Sequence, residues 1–402
     1  MKTEDLTRDL HRAAAVLRQG GLVAVPTETV YGLAGNGLDG AAVDRIYRVK
    51  GRPEVKPLSL LVPDDCWLDR LCRNVPLAAR TLAKRFWPGP LTLVLPSRGL
   101  EPEIVRAGGN TVALRCPDHP LTRSLLAMAG VPLATPSANP SGEASPRTAE
   151  EVLAYFDGRI EGIVDGGESS LGRESTIFDL SRTPYRVLRA GALPEAEILA
   201  ALRAGLTLVG ITGGSGCGKT TALRTLEKRG ALILDADSIY HELTRCSGEL
   251  RGELTERFGD VYSENGLDRK KLAGVVFSDP AALEDLNGIT HKYVLSEIER
   301  RLTEHALAGG TIAAVDAVAL MECGLGAKTS FNVAVTAPAE DRITRLTARD
   351  GIPVEAARAR IGAQKPEAFY RENCDFVLHN DGDRASFETK CDDFFQEVLR
   401  DV

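Results

Sequence analysis

The chain has 402 residues, of which 43 % are hydrophobic and 26 % charged, and its formal net charge is −7. At roughly 100–200 residues per domain, that length holds two or three domains of ordinary globular composition. The acidic balance argues against a general nucleic-acid scaffold, which carries a basic excess, and leaves room only for a local basic pocket.

Eight cysteines are present, Cys66, Cys72, Cys116, Cys217, Cys246, Cys323, Cys374 and Cys391. None forms a C-x-x-C pair, and the spacing suggests neither a zinc site nor a disulfide framework. Free thiols in a reducing compartment are the simplest reading. Residues 1–20 are charged and lack the apolar core of a signal peptide. No stretch approaches the ~18 uninterrupted apolar residues of a membrane span. A cytoplasmic protein without a membrane segment is expected.

In chain order, Leu6, Leu10, Ala13, Ala14 and Leu17 recur at helical spacing until Gly20-Gly21 ends the run. Strands are predicted at Leu22–Val25, Leu58–Val62, Leu91–Leu95, Val112–Leu114, Val131–Ala134, Thr176–Phe178 and Tyr185–Leu188, with helices at Leu77–Phe86 and Thr148–Tyr155 among them. This mixture predicts an α/β or α+β domain with a substantial mixed sheet over residues 1–205. Pro194–Gly205 reads as one short helix. From Leu206–Thr212 onward, strands at Leu232–Leu234, Ile312–Val315 and Val333–Val335 alternate with polar helical stretches. That pattern predicts a doubly wound parallel sheet over residues 206–402. The two halves share no repeat.

The C-terminal half carries Gly213-Gly214-Ser215-Gly216-Cys217-Gly218-Lys219-Thr220, which fits G-x-x-x-x-G-K-[ST] at every fixed position. Its glycines let backbone N–H groups face phosphate oxygens, and the following helix, running on through Thr221, adds its positive end. Lys219 can neutralise the β- and γ-phosphates and Thr220 can hold magnesium. Strand, loop and helix occur in the required order, which separates the motif from an ordinary glycine turn. Leu234-Asp235-Ala236-Asp237 ends the next strand, where doubly wound sheets bind ligands. One of its two acids suits a helix N-cap, leaving the other free to accept a proton from an attacking hydroxyl. Cys217, beside a helix N-terminus and near Lys219, is either a small residue without a redox role or a thiol activated by that field.

Residues 206–400 resemble dephospho-CoA kinases. The resemblance rests on Ile211-Thr212-Gly213-Gly214, Asp235-Ala236-Asp237, Gly266-Leu267-Asp268-Arg269, Leu286-Asn287 with His291, Arg345-Leu346-Thr347-Ala348-Arg349-Asp350-Gly351, Ala363-Gln364 and Asn380-Asp381-Gly382. It implies a P-loop kinase that transfers the ATP γ-phosphoryl group to the ribose 3′-hydroxyl of dephospho-CoA, with Asp237 as general base. Arg345 and Arg349 would sit in a lid and steady the transferring group, or simply line a solvated helix face. The segment Asp316-Ala317-Val318-Ala319-Leu320-Met321-Glu322 lacks the family's usual proline, and Lys292 follows His291 where proline is common.

The N-terminal half has no glycine phosphate motif. Lys50-Gly51-Arg52-Pro53 follows the helical run Ala41–Val49, and Lys56-Pro57 leads into the strand Leu58–Val62. Two cations two residues apart, braked by proline, either grip a triphosphate or form a solvated basic turn, and the pair alone favours the turn. In order along the chain stand Pro26-Thr27-Glu28-Thr29-Val30-Tyr31-Gly32-Leu33, Lys50/Arg52, Trp87-Pro88-Gly89-Pro90-Leu91-Thr92, Arg115-Cys116-Pro117-Asp118-His119 and Pro136-Ser137-Ala138-Asn139-Pro140-Ser141-Gly142. This set is similar to the YrdC family of threonylcarbamoyl-AMP synthases over residues 7–195. The similarity implies a YrdC-like twisted mixed sheet and condensation of L-threonine, bicarbonate and ATP to threonylcarbamoyl-AMP and pyrophosphate. A partner complex would then pass the group to adenosine in tRNA. By motif position Lys50, Arg52, Thr111, Ser137, Asn139, Ser145 and Arg189 would bind ATP, while Thr27, Arg115, Thr135 and Ser175 would bind threonine, Arg115 through its carboxylate. The alternatives are an RNA-binding module on the same basic concavity, fused to another P-loop nucleotide kinase, and a carbamoyl-adenylate activity of hydrogenase maturation. The accessory zinc-binding and acylphosphatase segments of the latter are absent from the sequence.

Overall fold

The computed structural model describes residues 2–263, 266–276, 279–317, 320–321 and 324–400. Glu322 of the acidic segment, and Cys323, lie outside the described residues. The chain divides into two compact units, Met1–Gly205 with Leu307–Gly309, and Leu206–Ala306 with Gly310–Val402.

The first unit is built on one mixed sheet. Its strands are β1 (Glu4–Asp5), β2 (Val23–Val25), β3 (Gly32–Asn36), β4 (Ser59–Leu61), β5 (Leu91–Pro96), β6 (Thr111–Arg115), β7 (Leu133–Ala134), β8 (Gly162–Ile163), β9 (Thr176–Asp179) and β10 (Arg186–Arg189). They lie in the order β1-β8-β2-β3-β7-β4-β6-β5-β9-β10. Parallel pairs such as β4/β6 and β5/β9 alternate with antiparallel ones such as β2/β3 and β5/β6. Ala13, Leu17, Leu125, Leu126, Val23 and Val164 share one buried cluster, so helices Leu10–Arg18 and Pro120–Ala129 cover that part of the sheet with their apolar faces.

The first helix starts at Leu10 rather than near Leu6. Asp9 caps it by accepting from Arg12 N at 2.8 Å, and the residues before it extend into β1. Leu6 is buried all the same, packed from the segment between strand and helix. Strand β3 was not expected, because Gly-Leu-Ala-Gly-Asn has neither β-branched residues nor an alternation of apolar and polar. It is paired on both sides, by β2 and β7, and nearly all of it is buried. An added Cβ at Gly32 would stand 2.3 Å from Thr135 Cγ2, so close approach dictates that glycine.

The second unit holds β11 (Thr207–Thr212), β12 (Leu232–Asp235), a hairpin of β13 (Tyr262–Ser263) and β14 (Gly266–Leu267), then β15 (Ile312–Asp316), β16 (Phe331–Thr336) and β17 (Phe376–His379). The five-stranded sheet has the order β12-β15-β11-β16-β17 and every pairing in it is parallel. The central strand β11 runs into the glycine-rich turn and then into helix Lys219–Lys228. Val209, Ile211, Leu226, Val333, Val335, Phe387 and Phe395 form the core that fixes this helix and the helix Arg384–Val398 against the sheet. Among the described residues, no helix is long and apolar enough to cross a membrane.

Two candidate active sites

In the first unit, residues scattered from position 27 to position 189 converge on one cleft. Thr27, Thr29, Arg52, Arg115, Thr135, Ser137, Glu174, Ser175 and Arg189 line it. Arg115 closes β6 and enters the cleft buried. Its Nε donates to Gly89 O at 3.2 Å and its Nη1 to Thr29 Oγ1 at 2.9 Å, while Nη2 stands 2.7 Å from Glu28 Oε1. Arg189 Nη1 pairs with Glu174 Oε2 at 2.6 Å, and its Nη2 donates to Ser175 O at 2.8 Å. Ser175 Oγ in turn meets Thr92 Oγ1 at 2.8 Å. Thr27 Oγ1 donates to Val30 O at 2.6 Å and shares a 2.8 Å hydrogen bond with Thr29 Oγ1.

The Lys-x-Arg segment is split by its helix cap. Helix Gly40–Lys50 starts at Asp39, whose carboxylate accepts from Ala41 N, and stops at Gly51 in the left-handed conformation with φ 60°. Lys50 is thus the last helical residue, where a cation meets the negative end of the helix. Its side chain turns inward and donates to Ser137 O and Asn139 O, and lies 3.4 Å from Asn139 Oδ1. Burial and the nearby Arg52 push its amine down to about 7, against the pull of Glu174. Arg52 lies beyond the cap, lines the cleft, and is braced by Lys56 O and Pro57 O. Lys50 therefore holds the Ser137–Asn139 loop from behind rather than lining the cleft.

Asn139 is buried in that loop, and its Nδ2 donates to Glu143 O at 2.6 Å. Ser145 Oγ donates to Glu174 Oε1 at 3.1 Å. Both brace the wall rather than form it. Thr111 stands apart. It opens β6, four residues before Arg115, which along a strand is about 13 Å. It lines a separate depression with Asn110, Asp179 and Ser181. Glu28, Thr29 and Glu174 were missed as individual residues. Glu28 and Thr29 stand within the Pro26–Leu33 segment, whereas Glu174 carries no local signal.

In the second unit, Gly214, Ser215, Gly216, Gly218, Lys219 and Thr220 share a cavity with Asp235, Asp237, Asp316, Arg345, Arg349 and Arg360. Gly218 caps the helix with φ 108°, a backbone state that side chains rarely adopt. Lys219 Nζ donates to Gly213 O at 3.0 Å. Gly213 and Cys217 of the loop are buried and do not line the cavity, and Thr221 is already inside the helix, its N–H bonded to Gly218 O. Asp235 takes the N-cap, accepting from Asp237 N at 3.0 Å and Ser238 N at 3.3 Å. Asp237, within the first turn, keeps its carboxylate for the cavity.

Asp316 was not singled out. It ends β15 beside Asp235 in register, and its Oδ1 is buried without a hydrogen-bond partner. Burial raises its carboxyl to about 6; Lys219 opposes that rise, and Asp235 and Asp237 add to it. The sequence showed this residue only as the start of a departing motif. Burial pushes the Cys217 thiol up, outweighing the pull of Arg342 and Lys219.

The geometry sets out two sites of unrelated construction, a basic cleft across a mixed sheet and a glycine-rich P-loop at the C-terminal end of the central strand of a parallel one. The family described as "Telomere recombination", the YrdC-type family, matches residues 15–191, and the family described as "Dephospho-CoA kinase" matches residues 207–386. The threonylcarbamoyl-AMP synthase of Pyrococcus abyssi is 49 % identical over 186 residues, 46 % of this chain and 55 % of that one. That of Halorhodospira halophila is 39 % identical, covering 42 % of this chain and 89 % of its own. The dephospho-CoA kinase of Salinibacter ruber is 34 % identical over 48 % of this chain and 98 % of that one. The chain belongs to the YrdC-type synthase family in its N-terminal half and to the dephospho-CoA kinase family in its C-terminal half. It spans about half the length of the longer synthase relatives.

Proposed function

We propose that the chain is a bifunctional enzyme. Its N-terminal unit condenses L-threonine, bicarbonate and ATP to threonylcarbamoyl-AMP, releasing pyrophosphate and water. Its C-terminal unit phosphorylates the ribose 3′-hydroxyl of dephospho-CoA with ATP.

The convergence of Arg52, Arg115 and Arg189 with Thr27, Thr135, Ser137 and Ser175 in one cleft carries the first reading. Arg115, steadied by Gly89 O, Thr29 and Glu28, takes the threonine carboxylate, while Thr27, Thr135 and Ser175 address its amine and hydroxyl. Arg52 and Arg189 outnumber Glu174 in the cleft and offset the charge that develops as pyrophosphate leaves, while Lys50 holds the Ser137–Asn139 loop behind it. Asn139 and Ser145 support that wall. A role for Thr111 in nucleotide binding would require contact outside this cleft. The product passes to a tRNA-modifying transferase complex. RNA contact at the N-terminal domain belongs to the same proposal, and both reactions are placed in the cytoplasm.

The P-loop cavity with its free Asp237 carries the second reading. Asp237 accepts the 3′-hydroxyl proton, Lys219 and the loop N–H groups hold the phosphates, and Arg345 and Arg349 face the transferring group. The orphaned buried Oδ1 of Asp316, next to Thr220, Asp235 and Asp237, fits a divalent cation. Magnesium would be held there by Thr220 and Asp316, and when bound it supplies positive charge to the phosphates.

Purified full-length chain, given each substrate set in turn, tests both. The first reading requires pyrophosphate release that needs threonine and bicarbonate together. The second requires coenzyme A formed from dephospho-CoA. Absence of either product defeats the corresponding half.

A further inference from the structure

Ser215, at the apex of the phosphate loop, is grasped at each of its polar atoms by two residues distant in sequence. Its backbone N–H donates to Gln364 Oε1 at 3.0 Å, and its Oγ accepts from Gln364 Nε2 at 2.7 Å. Its carbonyl oxygen accepts from Arg342 Nε at 3.0 Å, and Arg342 Nη2 closes the circuit on Gln364 Oε1 at 2.6 Å. A second observation points to the same contact. A Cβ at Gly214 would lie 2.3 Å from Arg342 Nη2 and 2.8 Å from Gln364 Oε1, and one at Gly216 would lie 2.9 Å from Arg342 O. Two glycines of the loop therefore leave room for this clamp as well as for phosphate.

Arg342 sits in helix Ala339–Asp350, and Gln364 lies two residues beyond helix Val354–Gly362. These helices pack on each other through Ile343, Leu346 and Ala357. They also carry Arg345, Arg349 and Arg360 into the phosphate cavity. Arg349 and Arg360 are gathered there on one carboxylate, Asp350, at 2.6 and 2.9 Å.

We propose that Arg342 and Gln364 are positioning residues that lock the arginine-bearing helix pair onto Ser215, so that the arginines are set over the transferring phosphoryl group. The proposal rests on the kinase reading for its catalytic consequence, though not for the clamp itself. The loop N–H groups and Lys219 suffice to bind ATP in the ground state. Loosening the clamp acts on turnover, because electrostatic stabilisation depends on groups already in place.

Hydrogen exchange on the full-length chain, followed peptide by peptide, tests the clamp without any activity. In Gln364→Ala, amides of residues 214–218 and 339–362 should exchange at least about fivefold faster than in the wild type, the size of one net hydrogen bond. Gln364→Glu still accepts from Ser215 N–H and Arg342, and should exchange within about twofold of wild type on the same scale. Unchanged exchange in Gln364→Ala, or equal acceleration in peptides of the N-terminal unit, overturns the clamp. In the assay of coenzyme A formation from dephospho-CoA, Gln364→Ala should lower kcat about tenfold or more while the Kd for ATP moves less than about threefold, since only transition-state contacts are lost. A parallel loss of kcat and ATP affinity overturns the positioning role. If the wild type makes no coenzyme A, the kinase reading fails, and the exchange measurement still decides the clamp.

Discussion

Glu28 Oε1 and Arg115 Nη2 meet at 2.7 Å with both side chains buried, and without the alignment of a hydrogen bond. The other carboxylate oxygen of Glu28 accepts from Asp118 N at 3.0 Å. The proposed threonine-binding cation is thus half of an ion pair that belongs to the fold, and each partner retains hydrogen-bonding capacity at the contact.

A simple truncation at this site therefore reports two effects. Arg115→Ala strands a buried carboxylate and should destabilise the N-terminal unit by about 3–5 kcal/mol. The double variant Glu28→Gln/Arg115→Gln removes both charges and should recover most of that loss while still lacking threonine-dependent pyrophosphate release. Urea unfolding and the pyrophosphate assay, run on all three proteins, separate the effects. A double variant that keeps its threonine dependence would sink the assignment of Arg115.

Lys50 makes stability depend on pH. Its amine, held at about 7 in the fold, regains the ordinary lysine value near 10.5 on unfolding. Between those values the unfolded chain binds the extra proton, so this group's contribution to stability rises with pH. From pH 7.5 to 9 the wild type should gain up to about 1.4 kcal/mol per pH unit relative to Lys50→Met. The difference in slope is the readout, because loss of the contacts to Ser137 and Asn139 adds only a constant. Parallel slopes would show that Lys50 stays charged in the fold, where its carbonyl acceptors suit an ammonium.

The two activities should respond to different lysines. Lys219→Ala removes the P-loop cation and should lower coenzyme A formation by orders of magnitude, leaving threonylcarbamoyl-AMP synthesis unchanged. Lys50→Met should do the reverse, because it frees the Ser137–Asn139 loop. Circular dichroism would control for folding. Loss of both products in either variant would demand coupled sites.

Cys217 should be chemically quiet. Iodoacetamide at neutral pH should label Cys66 and Cys246, which are exposed, well before Cys217, which is 3 % exposed with its thiol pushed up. Mass spectrometry of the labelled peptides reads the order. Early labelling of Cys217 would restore the activated thiol that its place beside a helix N-terminus suggests.

The sequence displayed the P-loop fully, because strand, glycine turn and helix are consecutive and the chemistry is written in one stretch. The division of labour between Asp235 and Asp237 was legible for the same reason, since an N-cap is a local device. The N-terminal cleft was legible only as an ordered set of motifs. Spacing alone does not say that Arg189 meets Glu174, or that Lys50 turns inward while Arg52 turns out. Thr111 shows the limit of carrying roles over by motif position, for its strand delivers Arg115 to the cleft and leaves Thr111 at the far end. Glu28, Glu174 and Asp316 act through partners brought by tertiary structure, and a lone carboxylate has no periodicity to betray it. Strand β3 escaped because it is glycine-rich and lacks β-branched residues.

Gly51 decides what the Lys-x-Arg segment can do. A Cβ there would meet nothing within 4 Å, so the space would accept almost any side chain. The obstacle is the residue's own backbone, at φ 60°. An alanine would raise the energy of that turn by about 1–2 kcal/mol. The chain could relieve it by winding one residue further as helix, which would rotate Arg52 by roughly 100° about the helix axis. One methyl group, touching no neighbour, would then turn an outward-facing cation away from its cleft, and a mutational scan confined to charged residues would never find it.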